Sequence, residues 1–174
     1  KNADYVMSRQ KSIWDPIIIR NVSFINRIGC SPLCMYSSVN GYHNEKFHLI
    51  HTCSRVNGLG LFIVEASGIT DDGRISPKCL GIYNDDHIKY HRNITDYVHN
   101  ISECKIGIQL NHSGIKGSTS PPHSYMDIGC DTPLTSLDMD TYGDNAWNTM
   151  HVNNMSINDI QYLVNNTYPK AIER

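Results

Sequence analysis

Three apolar segments of strand length recur along the chain, and a segment with helical spacing follows each of the first two. The apolar segments are residues 28–33, 60–68 and 105–110. Residues 46–56 and 85–100 carry apolar side chains at intervals of three and four, as helices that cover one face of a sheet do. Alternation of buried strands with helices predicts a parallel sheet with right-handed crossovers. The predicted fold class is therefore α/β.

Turn and cap signals predict the remaining elements. Two short β-prone runs in residues 16–24 flank a polar pair and predict a β-hairpin ahead of the sheet. Asp85 is expected to cap the second helix, and Ser156 with Asp159 three residues later predicts a capping box for a last helix. Pro169 is expected to kink or end that last helix.

Length and charge restrict the class of protein. With 174 residues, the chain suffices for one compact domain but is short for a barrel of eight strand–helix units, which takes ~250 residues. A formal charge of −2 gives no basic surface for nucleic acid or an anionic membrane. We expect a cytoplasmic protein whose partner is a small molecule, and the full-length protein could form a homo-oligomer. Residues 111–155 are too long for an ordinary connection, and such loops are usually functional or disordered.

Cysteines, histidines and Asn-x-Ser/Thr sequons leave rival interpretations open. The six cysteines are expected to be reduced thiols because no secretory signal is evident, and the sequons then carry no sugar. The alternative is a secreted, disulfide-bonded and glycosylated binding module. Zinc requires four converging ligands, so we predict no metal site from the following residues. The candidates are His48, His51 and Cys53, or His87 and His91.

Residues 26–38, NRIGCSPLCMYSS, are the most informative stretch. An apolar strand, broken by Pro32, runs directly into a cysteine, a methionine, a tyrosine and two serines. Core packing alone does not require this mixture, which is expected where a buried strand opens into a reactive pocket.

Four sequence blocks resemble, in order and spacing, the first half of the old yellow enzyme family of flavoproteins. They are NRIGCSPLCMYSS (26–38), FHLIHTCSRVNGLGLFIVEASGI (47–69), GRISPKCLGIYNDDHI (73–88) and KIGIQLNHSG (105–114). The Cys-Met-Tyr after the first strand is characteristic of the thermophilic-like branch. The resemblance runs from residue 16 to residue 114 and resumes weakly in the last helix.

The resemblance implies a (β/α)₈ TIM barrel with FMN at the carboxyl ends of its strands. This chain would form the first three βα units after the hairpin. Residues 1–174 would be the N-terminal part of a single, truncated FMN-binding domain. By the same resemblance, the flavin contacts are Ser31, Pro32, Leu33, Cys34, Ala66 and Gln109. The Gln109 amide has both a donor and an acceptor, as the alternating polar edge of the flavin's pyrimidine requires.

The resemblance also implies an activity. Family members use NADPH or NADH to reduce FMN, and the reduced flavin gives hydride to the β-carbon of an enone or enal, the α,β-unsaturated carbonyl substrate. Cys34 would lie near the flavin's reactive nitrogen and tune its reduction potential. Tyr36 would hydrogen-bond the carbonyl compound. Both are predicted catalytic residues.

Parts of the family pattern differ or are missing. His112 matches a histidine of the family's HAGRK block, whereas Ile115 stands where the family has an arginine. Leu33 replaces the usual methionine and nearly conserves its volume. The family's substrate-anchoring histidine pair, proton-donating tyrosine and FMN-phosphate loops would follow residue 174, so we expect the chain alone to be inactive. The iron–sulfur branch of the family stays an alternative, because its cluster-binding cysteines would also follow.

Overall fold

The computed structural model describes residues 11–117, 134–135 and 153–174. The described part begins with an antiparallel hairpin of β1 (Ile17–Ile19) and β2 (Val22–Phe24). Arg20 in the turn adopts a positive φ of 53°, as tight hairpin turns require. The predicted hairpin over residues 16–24 is confirmed.

A parallel sheet is built around one central strand. β4 (Leu61–Gly68) pairs with β3 (Gly29–Cys30), β5 (Leu80–Gly81) and β6 (Lys105–Asn111), and all these pairings are parallel. β3 and β5 lie along the same edge of β4, at its two ends, and β6 lies along the opposite edge. A β-bulge interrupts the register with β6 between Val64 and Ser67. The predicted α/β class with a parallel sheet is confirmed.

Two strand predictions need correction. The strand predicted over residues 28–33 ends at Cys30, because Pro32 has no N–H for a ladder and residues beyond Cys30 leave the sheet; Leu33 is 67% exposed. The strand predicted as buried over residues 105–110 is real, but it is only half-buried. β5 was not predicted, since two residues between turns carry no periodic signal.

The two predicted helices lie against the sheet. α1 (Glu45–Cys53) begins at Asn44, whose side chain accepts a hydrogen bond from the Phe47 N–H. α2 (His87–Ile101) begins after Asp86, which makes no capping hydrogen bond. The prediction that Asp85 caps this helix is wrong: its carboxylate accepts from the Arg174 guanidinium at 2.7 Å.

The main hydrophobic core lies between the sheet and these two helices. Phe62 and Val64 of β4 are 3% and 8% exposed and pack against α2 and the ends of the loops that flank it. The buried members of this core are Val56, Phe62, Val64, Leu80, Ile94, Val98 and Cys104. Burial of this apolar area is the main source of stability for the strand.

The last helical segment begins with the predicted capping box. Ser156 Oγ accepts from the Asp159 N–H, and the Asp159 carboxylate accepts from the Ser156 N–H. Helix α3 (Ile157–Tyr162) leads through a π-helical turn (Leu163–Thr167) into α4 (Tyr168–Glu173). Pro169 therefore does not end the helical segment. In the turn before Pro169, the backbone changes from α-helical to the wider π-helical hydrogen-bond spacing. α4 packs Ala171 against Ile69 and Ile82.

Most of the predicted long loop, residues 111–155, lies outside the described residues, as does Cys130. Within it, β7 (Leu134–Thr135) pairs in parallel with β8 (Asn153–Asn154). Among the described helices, none is both long enough and apolar enough to cross a membrane.

Candidate functional site

The candidate site lies where the chain leaves β3 and passes the carboxyl ends of β4 and β6. Residues 31–38 form no helix or strand. The Met35 N–H donates to the Glu65 carboxylate at 3.1 Å, and the backbone of Ala66 lies near enough to the Cys34 thiol to act on its pKa. The register of β6 sets Gln109 beside the bulge that contains Glu65 and Ala66. Three predicted site residues, Cys34, Ala66 and Gln109, are thus gathered at one edge of the sheet.

The segment 31–38 is also fixed from its far side. The Ser38 N–H donates to Lys78 O at 3.0 Å, and Ser38 Oγ donates to Cys79 O at 2.6 Å. Between these anchors and Met35, Tyr36 adopts a φ of 51°. This left-handed conformation is uncommon for a bulky residue and costs on the order of 1 kcal/mol, so surrounding contacts must hold it.

The predicted flavin contacts differ in exposure. Ala66 is buried, Pro32 and Cys34 are half-buried, and Ser31, Leu33 and Gln109 are exposed. The Gln109 amide makes no hydrogen bond to any residue in the described part of the chain. The Gln109 amide is therefore accessible to a ligand, whereas Ala66 is covered by the chain's own residues.

Glu65 is the residue of this site that sequence reasoning missed. Its side chain is 4% exposed and accepts from Met35, while its other oxygen lies 3.3 Å from His48 Nε2. His48 Nδ1 lies 3.1 Å from the Asn44 carbonyl. Because a carbonyl only accepts, His48 Nδ1 is the donor of this contact. In the described part of the chain, His48 Nε2 faces the carboxylate at 3.3 Å without a hydrogen bond.

The signal for Glu65 was present in the sequence. It is a single acidic residue inside the apolar run GLFIVEASG, and an ionised group is rarely buried unless it is paired. Its partners, His48 and the Met35 N–H, come from distant parts of the sequence. We infer that Glu65 holds residues 31–38 in position.

Neighbouring groups keep Tyr36 protonated. Burial, followed by the charges of Cys34, Cys79 and Glu65, raises the pKa of the Tyr36 hydroxyl. The pKa of Cys34 is raised as well, first by its hydrogen bond to Cys79 and then by burial. A phenol that keeps its proton at neutral pH can donate a hydrogen bond to a carbonyl oxygen.

Behind the site, a group of buried histidines is electrically neutral. His43 Nε2 lies 3.0 Å from His91 Nδ1, and His91 Nε2 donates to Gly81 O at 3.1 Å. Within the described residues, His43 Nδ1 and His87 Nε2 are buried and have no hydrogen-bond partner. Burial, followed by the charge of His91, lowers the pKa of His43 to about 2 and that of His87 to about 4. The described residues contain no group of three or more side chains that could hold a metal ion.

The loop after β6 is held by its own contacts. His112 Nδ1 accepts from the Gly114 N–H at 3.2 Å, and Ser113 Oγ donates to Arg74 O at 3.0 Å. Arg74 is itself buried and paired with Asp71. His112 therefore contributes to the shape of this loop.

A parallel α/β sheet with polar and reactive side chains gathered at the carboxyl ends of its strands is typical of enzymes that bind a ligand at that edge. A sequence profile of the NADH:flavin oxidoreductase / NADH oxidase family matches residues 12–174. The chain belongs to this family, and the predicted relationship to old yellow enzymes is confirmed. Membership of this oxidoreductase family also supports the predicted FMN cofactor and nicotinamide reductant.

Curated relatives match part of the chain. It is 40% identical to an NADH:flavin oxidoreductase of Gibberella zeae over 116 residues, which are 66% of this chain and 28% of the relative. It is 43% identical to an NADPH dehydrogenase of Clostridium acetobutylicum over 113 residues, 63% of this chain and 33% of that protein. The matched part thus spans about a third of the length of these relatives.

Solved structures share the fold. A morphinone reductase in complex with tetrahydroNAD superposes with a TM-score of 0.75 at 19% identity, over 93% of this chain and 45% of that one. An old yellow enzyme homologue from Zymomonas mobilis gives a TM-score of 0.66 at 24% identity, over 92% of this chain and 44% of that one. At these identities the likeness concerns the fold.

Proposed function

We propose that the protein containing this chain is an FMN-dependent ene-reductase, which uses NADPH or NADH to reduce the C=C bond of α,β-unsaturated carbonyl compounds. The single observation that carries this proposal is the gathering of Cys34, Ala66 and Gln109 at one edge of a parallel sheet. These residues come from three separate segments of the chain. The family relationship supplies the cofactor to which such an edge would bind.

The residues at this edge fit a flavin ring. The Gln109 amide is exposed and unpaired among the described residues, so its donor and acceptor are both free for a ligand. Ala66 has a small side chain, which occupies little of the space beside the strand. In this proposal Ser31, Pro32, Leu33 and Cys34 lie beneath the ring.

When bound, FMN supplies a hydride acceptor for the nicotinamide and a hydride donor for the substrate. The chain's own part is binding, orientation and polarisation. Gln109 orients the polar edge of the ring, and Cys34 contacts it near the reactive nitrogen. Tyr36, whose raised pKa keeps its proton in place, donates a hydrogen bond to the substrate carbonyl.

The chain would be the N-terminal part of one FMN-binding domain. We propose that the hairpin and the parallel sheet form the first three βα units of a (β/α)₈ barrel. This is supported by the superposition on less than half of the two solved flavoprotein chains. All five described cysteines are free thiols, which suits a cytoplasmic location better than a secreted, disulfide-bonded module.

Flavin binding by a Gln109→Ala variant tests the proposal. The full-length protein is purified, its flavin removed, and the FMN dissociation constant measured by fluorescence quenching. Loss of a hydrogen bond to a buried polar partner costs ~1–3 kcal/mol, which corresponds to a dissociation constant roughly 5- to 150-fold larger. NADPH oxidation with 2-cyclohexen-1-one as the acceptor reports the activity.

Gln161→Ala is the matched control, because Gln161 is an exposed glutamine in α3. We expect it to bind FMN as the wild type does. An unchanged dissociation constant in Gln109→Ala would show that the amide does not contact the flavin. Absence of FMN binding by the wild-type protein would refute the function itself.

A further inference from the structure

The loop that connects β4 to β5, residues 69–79, is bonded to the segment 31–38 of the candidate site. Ser38, which is fully buried, makes both of these bonds. Its N–H donates to Lys78 O at 3.0 Å, and its Oγ donates to Cys79 O at 2.6 Å. The second half of this connecting loop thus sets the position of one end of the segment.

The first half of the same connecting loop is bonded to the loop that follows β6. The Ser113 N–H donates to Gly73 O at 2.8 Å, and Ser113 Oγ donates to Arg74 O at 3.0 Å. Gly73 also lies close to His112, because a side chain added at Gly73 would meet His112 Cδ2 at 2.8 Å. One connecting loop therefore holds two parts of the site that are far apart in the sequence.

The Arg74 guanidinium joins the two halves of the connecting loop. Its Nε donates to Asp71 O at 3.1 Å, and its Nη1 donates to Pro77 O at 3.0 Å. Its Nη2 donates to the Asp71 carboxylate at 2.5 Å. A guanidinium is planar and carries its donors in a fixed fork, so it holds its acceptors at a set separation. Arg74 is therefore a brace across the loop.

The surroundings of Arg74 indicate that the guanidinium serves the connecting loop rather than the protein surface. Arg74 is buried, whereas the side chain of Asp71 is 66% exposed. The Arg74 Cζ lies 5.7 Å from the centroid of the Tyr83 ring. Burial of a charge costs free energy unless hydrogen bonds inside the protein satisfy it. Two backbone carbonyls of the loop supply such bonds, so the buried position of Arg74 depends on the shape of the loop.

We propose that Arg74 is a positioning residue, which through the connecting loop fixes Tyr36 relative to the loop that carries His112. The proposal rests on the proposed function, in which Tyr36 donates to the substrate carbonyl while Gln109 orients the flavin. Hydride transfer requires the substrate carbon to lie against the flavin, and small misplacements lower its rate strongly. Arg74 acts on this geometry through Ser38, which follows Tyr36 closely in the segment 31–38.

A brace between the two halves of the loop predicts a coupled response. Without the fork, Pro77 O is no longer held to Asp71, and the two halves of the loop can move apart. The hydrogen bonds of Ser38 and of Ser113 should then weaken together, although these serines belong to different loops. A residue that stabilised only its own turn would leave at least one of them unchanged.

Amide hydrogen exchange of a full-length Arg74→Lys variant tests the brace. Lysine keeps the charge but lacks the fork. We expect the Ser38 and Ser113 amides to exchange roughly 2- to 10-fold faster than in the wild type, as for a weakened hydrogen bond. The Val64 amide in β4 reports global stability and should exchange as in the wild type. Arg92→Lys, at an exposed arginine of α2, is the matched control and should change none of these rates.

A double-mutant cycle with Tyr36→Phe tests the positioning role. We expect Arg74→Lys to lower kcat/KM for 2-cyclohexen-1-one roughly 10-fold when Tyr36 is present. In the Tyr36→Phe background the same change should lower kcat/KM less than about 2-fold, because the donor that Arg74 positions is already gone. Equal losses in the two backgrounds would overturn the positioning role.

A second variant covers the case in which Arg74→Lys does not fold. Asp71→Ala removes one of the three hydrogen bonds at an exposed side chain, and it should speed exchange at Ser38 and Ser113 by a smaller factor. Faster exchange at only one serine, or at neither, would overturn the brace. Absence of enone reduction by the wild-type protein would refute the proposed function, whereas the exchange rates would still decide whether Arg74 joins the two loops.

Discussion

β4 and β6 look alike as sequence but play different parts in the molecule. Both are apolar runs of strand length, and both were expected to be buried. β4 has partners along both edges, and its Phe62 and Val64 are almost fully buried. β6 pairs only β4 among the described strands, and its Lys105 and Gln109 are exposed. Apolar pattern thus identifies a strand, whereas burial depends on how many neighbours the strand has.

Acidification should cause the largest loss of folding free energy, because the buried neutral histidines behind the site become protonated. The folded-state pKa values of His43 and His87, about 2 and about 4, lie below their ordinary value of 6.5. Their contribution to stability is therefore complete above pH 6.5 and is lost as the pH falls towards 4, at roughly 1.4 kcal/mol per pH unit for each histidine. Urea denaturation between pH 7.5 and 4.5 measures this loss.

A His87→Gln variant should show a flatter pH profile than the wild type, because one of the two neutral rings is gone. His99→Gln is the control, since His99 is exposed in α2. A wild-type stability that is constant from pH 6.5 to 4.5 would contradict the burial of neutral rings.

Truncation of core side chains should cost more unfolding free energy in β4 than in β6. Phe62→Ala in β4 should cost ~3–5 kcal/mol of unfolding free energy, as for a fully packed aromatic residue. Ile106→Ala in β6 should cost less than ~2 kcal/mol, because Ile106 is only half-buried at the border of the core. Denaturant unfolding of both variants measures these costs: the midpoints should shift while the slopes stay unchanged. Equal costs would mean that β6 is as well covered as β4.

Glu65→Gln should affect the site end of β4 alone. The substitution keeps the shape of the side chain but removes the charge that pairs with His48 and receives the Met35 N–H. We expect a loss of ~1–3 kcal/mol and faster alkylation of Cys34, because residues 31–38 lose an anchor. Glu103→Gln, at an exposed glutamate, should change neither quantity. Unchanged Cys34 reactivity in Glu65→Gln would remove the positioning role.

The smallest effect on stability is expected from Cys34→Ala at the open edge. FMN should remain bound, while its reduction potential moves, because a polarisable sulfur near the ring alters the balance of oxidised and reduced flavin. A shift of ~30 mV corresponds to ~1.4 kcal/mol for two electrons. Spectroelectrochemical titration measures the FMN reduction potential of this variant, with Cys53→Ala as the control. A potential equal to that of the wild type would exclude the proposed role of Cys34.

Local sequence patterns predicted those elements that are formed by contacts between residues close in the sequence. The hairpin of β1 and β2 and the Ser156 capping box follow from neighbouring residues, and the long apolar run of β4 identifies a strand directly. The four blocks further predicted which residues would share one edge. Their roles stay predictions, although Cys34 and Ala66 lie close together.

Distant contacts explain what sequence reasoning missed. Asp85 could cap α2 on local grounds, but Arg174, 89 residues later, binds its carboxylate instead. β5 exists because its two residues meet the end of β4. Glu65 was passed over because its partners, His48 and Met35, are brought to it by the fold.

The bulge in β4 has a consequence for engineering. Up to Val64 the strand alternates in burial and keeps register with β6, and beyond the bulge a shifted register begins. A bulge bends its strand and disrupts the ladder locally, so the two halves of the strand pair in different registers. Residues 65–68 are all buried, and a side chain at Gly68 would meet Arg74 Cγ at 2.6 Å, so substitutions or an insertion there should disturb the packing. Redesign of the ligand end is therefore better placed at the exposed Gln109 of β6 than within the second half of β4.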